Sequence, residues 1–269
     1  MIHADLHSHS LLSDGTLTPE ALVDAAAAAG IRAFALTDHD STEGLPRAQV
    51  QCTLRGIEWI PGVEISCDYA EKGGHLLGLF LKNWQDAALQ EIFRLSKDER
   101  RARVFVQVKV LNELKYDITA EEVFAQAGGE TVAKPHVAQV LIDKGYFKNR
   151  DEVFDKLLGD GMPGHVGRQK LHLRDAIKAV HAAGGIAVIA HPILEGFSDE
   201  QLHEMKSLGI DGIEVNHPDQ DETARARYTK LAKELHLCIT GGSDFHLIPR
   251  DALGKNGLTV EEFATLKNR

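Results

Sequence analysis

The opening segment MIHADLHSHSLLSDG places His7, His9 and Asp14 within eight residues, directly after an alternation of apolar Ile2, Ala4 and Leu6 that predicts a first strand. Two imidazoles two residues apart project from the same face of extended chain, which suits two ligands on one metal ion. An H-x-H pair alone is also ordinary surface chemistry, so its weight depends on what joins it. Much joins it. Asp38, His39 and Asp40 follow the predicted strand IRAFALT, and Glu64 sits near the end of GIEWIPGVEIS. His191 ends GGIAVIAHP, His217 ends GIDGIEVNHP, and Asp244 and His246 end HLCITGGSDFH. His75 alone opens its strand, HLLGLFL, and the preceding KGG predicts a reversal that returns it to the same rim.

Each residue has a structural explanation by itself: His191 before Pro192 as a helix start, Asp244 as an N-cap, Glu64 as a solvated strand end. Convergence of the whole set at strand ends calls for chemistry. Imidazole suits Zn, Fe and Mn, while carboxylates favour harder ions and can bridge two of them. No cysteine belongs to the set, which argues against a thiolate-bound structural zinc. Ions bridged by a carboxylate stabilise the attacking and leaving oxygens of a displacement at phosphorus, so the inventory favours a hydrolase. His172, His181, His203 and His236 fall on predicted helices or their flanks and read as surface residues. There is no G-x-S-x-G elbow or Walker loop, and the glycines of LLGDGMPGHVG do not follow a strand as in dinucleotide-binding turns. A triad through Ser243 can be drawn, but ligation explains the histidines better.

The elements that must position these residues alternate. Thr18 as N-cap, Pro19 at the first helical position and Gly30 as stop frame an alanine-rich helix. Strand and helix patterns then succeed each other, which predicts an α/β protein with a largely parallel sheet. The number of strands favours a barrel, whose C-terminal strand ends share the face that carries the site. Residues 86–167 break the alternation with helical patterns alone, including a T-x-x-E capping box at Thr119–Glu122, and predict a helical insertion on the active face. The expected organisation is a barrel of residues 1–85 and 168–269 around that insertion.

With 40 acidic and 30 basic residues and a net charge of -10, a broad basic face for extended duplex nucleic acid is not expected. Bound cations would still permit a locally gripped nucleotide. Cys52, Cys67 and Cys238 form no C-x-x-C pair, no basic n-region precedes an apolar run, and no apolar stretch reaches a membrane span. A soluble cytoplasmic protein is expected; its oligomeric state is left open.

The motifs DLHSHSLLSDG, LTDHD, GVEIS, GGHLLGLFL, AHP and GSDFH, in this order from Asp5 to His246, resemble the PHP (polymerase and histidinol phosphatase) superfamily. The resemblance implies a distorted (β/α)7 TIM-like barrel and up to three divalent ions. His7, His9, Glu64 and Asp244 would hold the first, Glu64 bridging to the second with His75 and His191, and Asp14, His39 and His246 the third. Asp14 stands where some members carry histidine, which tilts the expected metal towards Mn, with Fe or Zn open. The implied reaction is phosphomonoester hydrolysis by metal-activated hydroxide, with His191 a ligand in the catalytic set. Leaving-group protonation would come from water or from His217 or Asp38. TVAKPHVAQVLIDKGY resembles the arginine-[Pro/Thr]-His segment of members acting on nucleoside 3′,5′-bisphosphates and short RNA from the 5′ end, with Lys134 in place of arginine. Lys134 and His136, and Arg168 and Lys170 of GHVGRQKLHLRDAI, are the expected substrate-binding residues, on a small phosphorylated substrate. Asn216 stands where tyrosine is frequent. Histidinol-phosphate phosphatase and a non-catalytic, metal-stabilised module are the alternatives.

Overall fold

The computed structural model describes residues 1–127, 132–167, 171–247 and 252–268. In chain order its elements are β1 (Ala4–Asp5), α1 (Pro19–Ala28), β2 (Ala33–Leu36), α2 (Leu45–Arg55), β3 (Glu58–Tyr69), β4 (Lys72–Leu79), α3 (Ala87–Glu113), α4 (Ala120–Ala127) and α5 (Lys134–Asp143). There follow α6 (Arg150–Val153) running into a π turn at Phe154–Leu158, α7 (Leu173–Ala182), β5 (Ile186–Ile189), α8 (Asp199–Leu208), β6 (Gly212–Asn216), α9 (Glu222–Glu234), β7 (Cys238–Gly241) and α10 (Val260–Lys267). Two compact units emerge, Met1–Phe93 with Lys170–Arg269, and Arg94–Gln169.

The first unit is a nearly closed seven-stranded barrel in the order β1 to β7. Closure comes from the chain beyond β1 and β7: Leu6 N–H donates to Gly241 O at 3.1 Å, Asp244 N–H to His7 O at 2.9 Å and His9 N–H to Phe245 O at 2.9 Å. The strands are parallel except β4, which is antiparallel to both β3 and β5. The reason is the connection. Two residues, Ala70 and Glu71, join β3 to β4 with φ of 50° and 66°, a turn of the twist-compatible hairpin kind. A parallel crossover needs a dozen or more residues, so two can only reverse the chain. Two expectations shift with it. Glu64 lies in the middle of a strand longer than GIEWIPGVEIS, and His75 lies inside β4, opposite Ser66, rather than opening it.

Alternation sorts the strand residues. Ala33 and Ala35 of β2 face the barrel interior with Leu6, Ile60, Leu77, Leu79 and Val188, while Phe34 and Leu36 face Leu22, Val23 and Ala26 of α1 and Leu45, Ala48 and Cys52 of α2. The two alanines of β2 leave room inside the narrow barrel for Leu6, Ile60, Leu77 and Leu79, and each buried large side chain contributes about 1.5–3 kcal/mol. Thr18 caps α1 by accepting from Ala21 N–H at 3.2 Å, with Pro19 in the first turn, and Gly30 then takes φ 87°, which a side chain would strain. Phe263 and Leu266 of α10 pack on the interior cluster from one end.

The second unit is helical, and among its described residues there is no strand. It has its own core of Val104, Leu111, Val123, Leu141, Val153 and Leu157. The expected Thr119–Glu122 box forms reciprocally, at 2.8 and 3.2 Å. Among the described residues no helix is long and apolar enough to cross a membrane.

Candidate metal centre

The chain past β1 is bonded on both sides: Thr37 N–H donates to Ser8 O at 2.9 Å on the β2 side, while His7 and His9 bond to the segment after β7. With this register Leu6 joins the interior cluster, and the rings of His7 and His9, two residues apart, lie together fully buried. Gly242 makes the approach possible, since a Cβ there would fall 2.4 Å from both the nitrogen and the Cβ of His7. Asp40, His191 and Asp244 hold φ of 49°, 23° and 49°, so three loop residues at strand ends carry left-handed backbone. Such strain costs on the order of 1–3 kcal/mol each and persists where surrounding bonds over-determine it.

Glu64 is the centre of the arrangement. Its Oε2 lies 3.3 Å from His7 Nε2, 3.1 Å from His9 Nε2 and 3.0 Å from His39 Nδ1. Its Oε1 lies 3.1 Å from both His75 Nδ1 and His191 Nε2, which are 3.3 Å apart. Asp244 Oδ1 stands 3.2 Å from the Nε2 atoms of His7 and His9. Asp14 faces His246 Nε2 at 3.3 Å, His9 Nδ1 at 3.6 Å and His39 Nε2 at 3.7 Å. Atoms that share a divalent ion at about 2.0–2.2 Å stand roughly 3.0–3.5 Å from one another, so the spacings about Glu64 and Asp244 are those of ligand sets, while Asp14 stands slightly wider from His9 and His39. Groups able to hold an ion are His7, His9, Glu64 and Asp244; His39, Glu64 and His75; His9, Asp14, His39 and His246; and His75, His191 and Glu195. Glu195 had no place in the reading of the sequence.

The electrostatics also fit cations. His7 Nε2, His9 Nε2, Asp14 Oδ1 and His39 Nδ1 are buried without a hydrogen-bond partner, an expensive condition that an ion would relieve. Burial alone would lower the His9 pKa, yet the close carboxylates of Asp244 and Glu64, with the charge of Asp14, push it up to about 10. Burial dominates at His39, which falls to about 3 despite Glu64 and Asp14, so that ring is neutral and able to ligate. Glu64 is fully buried, which raises a carboxyl, but His39, His75 and His7 together hold it well below the usual range. The carboxylates attract positive charge where divalent ions would compete with protons.

Glu214 was missed. It is a wholly buried carboxylate inside β6, with Oε1 3.0 Å from His7 Nδ1 and Oε2 accepting from His191 N–H at 2.9 Å. Accepting from Nδ1–H fixes the tautomer that turns Nε2 of His7 to the cluster, the usual task of an outer carboxylate. Glu in an otherwise apolar strand, GIEVN, was the available signal. Replacing Glu214 by Gln is expected to weaken metal affinity about tenfold, measured by titration of chelated protein.

His217 and Asp38 are tied into the frame. His217 Nδ1 accepts from Asp219 N–H at 3.2 Å and its Nε2 faces Asp244 Oδ2 at 3.3 Å. Asp38 accepts from Ser10 N–H and Ser13 Oγ–H at 2.7 Å and from Ser10 Oγ–H at 2.8 Å, bracing the His9–Asp14 loop. In the helical unit Lys134 Nζ donates to Leu158 O at 3.1 Å and lies 3.1 Å from His165 Nδ1. His136 Nδ1 accepts from Ala133 N–H at 3.0 Å, closing the start of α5. Arg100, Arg103, Gln107 and Lys134 line one concavity of that unit. Arg168 and Lys170 lie outside the described residues.

Residues 5–158 match the model of the PHP domain family. A 5′-3′ exoribonuclease of Haemophilus influenzae is 34% identical over 253 residues, covering 90% of this chain and 89% of the relative. A 3′,5′-nucleoside bisphosphate phosphatase of Chromobacterium violaceum is 32% identical over 258 residues, 91% of this chain and 88% of the relative. A solved structure described as a metal-dependent phosphoesterase from Bifidobacterium adolescentis superposes with a TM-score of 0.89 at 29% identity, covering 98% of this chain and 95% of the other.

Proposed function

This chain belongs to the PHP domain family, and from that premise we propose that it is a divalent-metal-dependent phosphoesterase acting on phosphomonoesters of nucleotides, either 3′,5′-bisphosphates or short 5′-phosphorylated RNA. One observation carries the reading: a single buried carboxylate, Glu64, turns one oxygen to His7 and His9 and the other to His75 and His191. A structural site needs one closed ligand set, whereas a carboxylate shared between sets is the arrangement for displacement at phosphorus.

His7, His9, Glu64 and Asp244 would hold the first ion, Glu64, His75 and His191 the second, and Asp14, His39 and His246 the third. A neutral imidazole has one lone pair, so His9, whose Nε2 faces Glu64 and Asp244, serves the first set although its Nδ1 faces Asp14. The mixture of imidazole with three carboxylates favours Mn. When bound, the ions lower the pKa of water and neutralise charge on the phosphoryl oxygens. The chain's own groups keep this geometry: Glu214 fixes the tautomer of His7, His217 orients Asp244, and Asp38 braces the loop carrying His9 and Asp14. With His217 and Asp38 so engaged, water supplies the leaving group's proton. The two named relatives, an exoribonuclease and a bisphosphate phosphatase, support a nucleotide substrate.

The test is a panel of phosphate esters with Mn-loaded enzyme. Adenosine 3′,5′-bisphosphate or a 5′-phosphorylated oligoribonucleotide is expected to exceed histidinol phosphate in kcat/KM. Preference for histidinol phosphate would overturn the substrate assignment. A large rise of Tm with metal but no turnover of any ester would make the barrel a non-catalytic module.

A further inference from the structure

We propose that Glu195 is a further protein ligand of the ion held by Glu64, His75 and His191, an inference that rests on the metal-site reading above. A carboxylate oxygen of Glu195 lies within 4.8 Å of ligand nitrogens of both His75 and His191. The loop that carries it is built rather than loose. His191 and Pro192 open a tight turn in which Leu194 N–H donates to His191 O at 3.0 Å and Phe197 N–H to Pro192 O at 3.3 Å. Phe197 is buried, anchoring the far end, and Lys72 Nζ donates to Gly196 O at 2.7 Å. Gly196 takes φ 59°. This brings Glu195 back over Gly74, the residue before His75, where a Cβ would meet Phe197 Cζ at 3.1 Å and Glu195 Cγ at 4.0 Å. Among the described residues no cation pairs with Glu195, which is partly shielded from solvent. A carboxylate held in that place, beside two imidazoles, is placed for a divalent ion.

The chemistry of the second set also calls for it. Glu64 shares its charge between two sets, which leaves the second with two neutral imidazoles and part of one carboxylate. Adding Glu195 hardens the set and suits an oxygen-preferring ion such as Mn.

The experiment measures metal, not turnover. Chelated wild type, Glu195→Gln, Glu195→Asp and His75→Ala are equilibrated with buffered Mn²⁺ at several free concentrations, and bound metal is counted by mass spectrometry and titration calorimetry. Glu200→Gln, exposed on α8, is the control. Glu195→Gln is expected to weaken one equivalent at least tenfold, the same equivalent that His75→Ala removes, and to leave the others unchanged. Glu195→Asp should fall between. An unchanged isotherm for Glu195→Gln overturns the assignment of Glu195 alone, whereas an unchanged isotherm for His75→Ala overturns the second site itself. Circular dichroism of the chelated variants identifies any that fail to fold, and Glu195→Asp then decides.

Discussion

Glu64→Gln is expected to abolish metal-dependent phosphoester hydrolysis while leaving the barrel folded. Gln keeps the volume of Glu64, a side chain only 1% exposed between β2 and β4, so packing is preserved. It loses the charge and converts one oxygen into a donor that points at imidazoles. Loss of an outer partner costs a metal site about 10–100-fold, and Glu64 faces two sets directly, so the loss compounds to roughly 10²–10⁴-fold in kcat/KM. The measurements are kcat/KM on a nucleotide substrate, metal content after dialysis, and circular dichroism. Retention of near-normal turnover with reduced metal content would remove the bridging carboxylate from the chemistry. His9→Ala and Asp244→Ala, which leave the second set intact, should depress the metal content less than Glu64→Gln does.

The difference between what the sequence discloses and what only the fold shows has a physical basis. Barrel class and the strand-end position of His7, His9, His39, His191 and Asp244 are legible because alternation and turn chemistry act locally. Glu64 and His75 were placed on the right strands but at the wrong points along them. The register of β4 depends on a turn made by Ala70 and Glu71, two non-glycine residues in left-handed conformation that composition does not announce. Glu214 escaped because a buried carboxylate is recognised by its partner, and His7 lies far away in the chain. Glu195 escaped for a related reason: it depends on a turn closed by Phe197 and on the missing side chain of Gly74. Asp38 and His217 were visible as polar residues at strand ends, while their partners Ser10 and Asp244 lie far from them in the chain and only the fold brings them together.

Lys134→Ala is expected to lower kcat/KM on adenosine 3′,5′-bisphosphate by roughly ten- to a hundred-fold while barely affecting a small aryl phosphate. Lys134 stands with Arg100 and Arg103 in one concavity of the helical unit, a set of donors able to take a phosphate. Loss of one charged hydrogen-bond partner costs about 1.5–3 kcal/mol, which gives that range. Energy from a remote phosphate is used to orient the reacting one, so a two-phosphate substrate feels the loss and an aryl phosphate does not. The Nζ of Lys134 also donates to Leu158 O and lies 3.6 Å from Asp160, so the same residue supports its own unit. The split between substrates separates the two tasks. A structural defect lowers both substrates alike and lowers Tm, whereas loss of a phosphate partner lowers one. Lys134→Arg, which restores charge and adds a fork able to bind two oxygens at once, should recover most of the activity on the bisphosphate. Equal loss on both substrates for Lys134→Ala would assign Lys134 to the packing of the helical unit and leave the choice between bisphosphate and histidinol phosphate to the barrel alone.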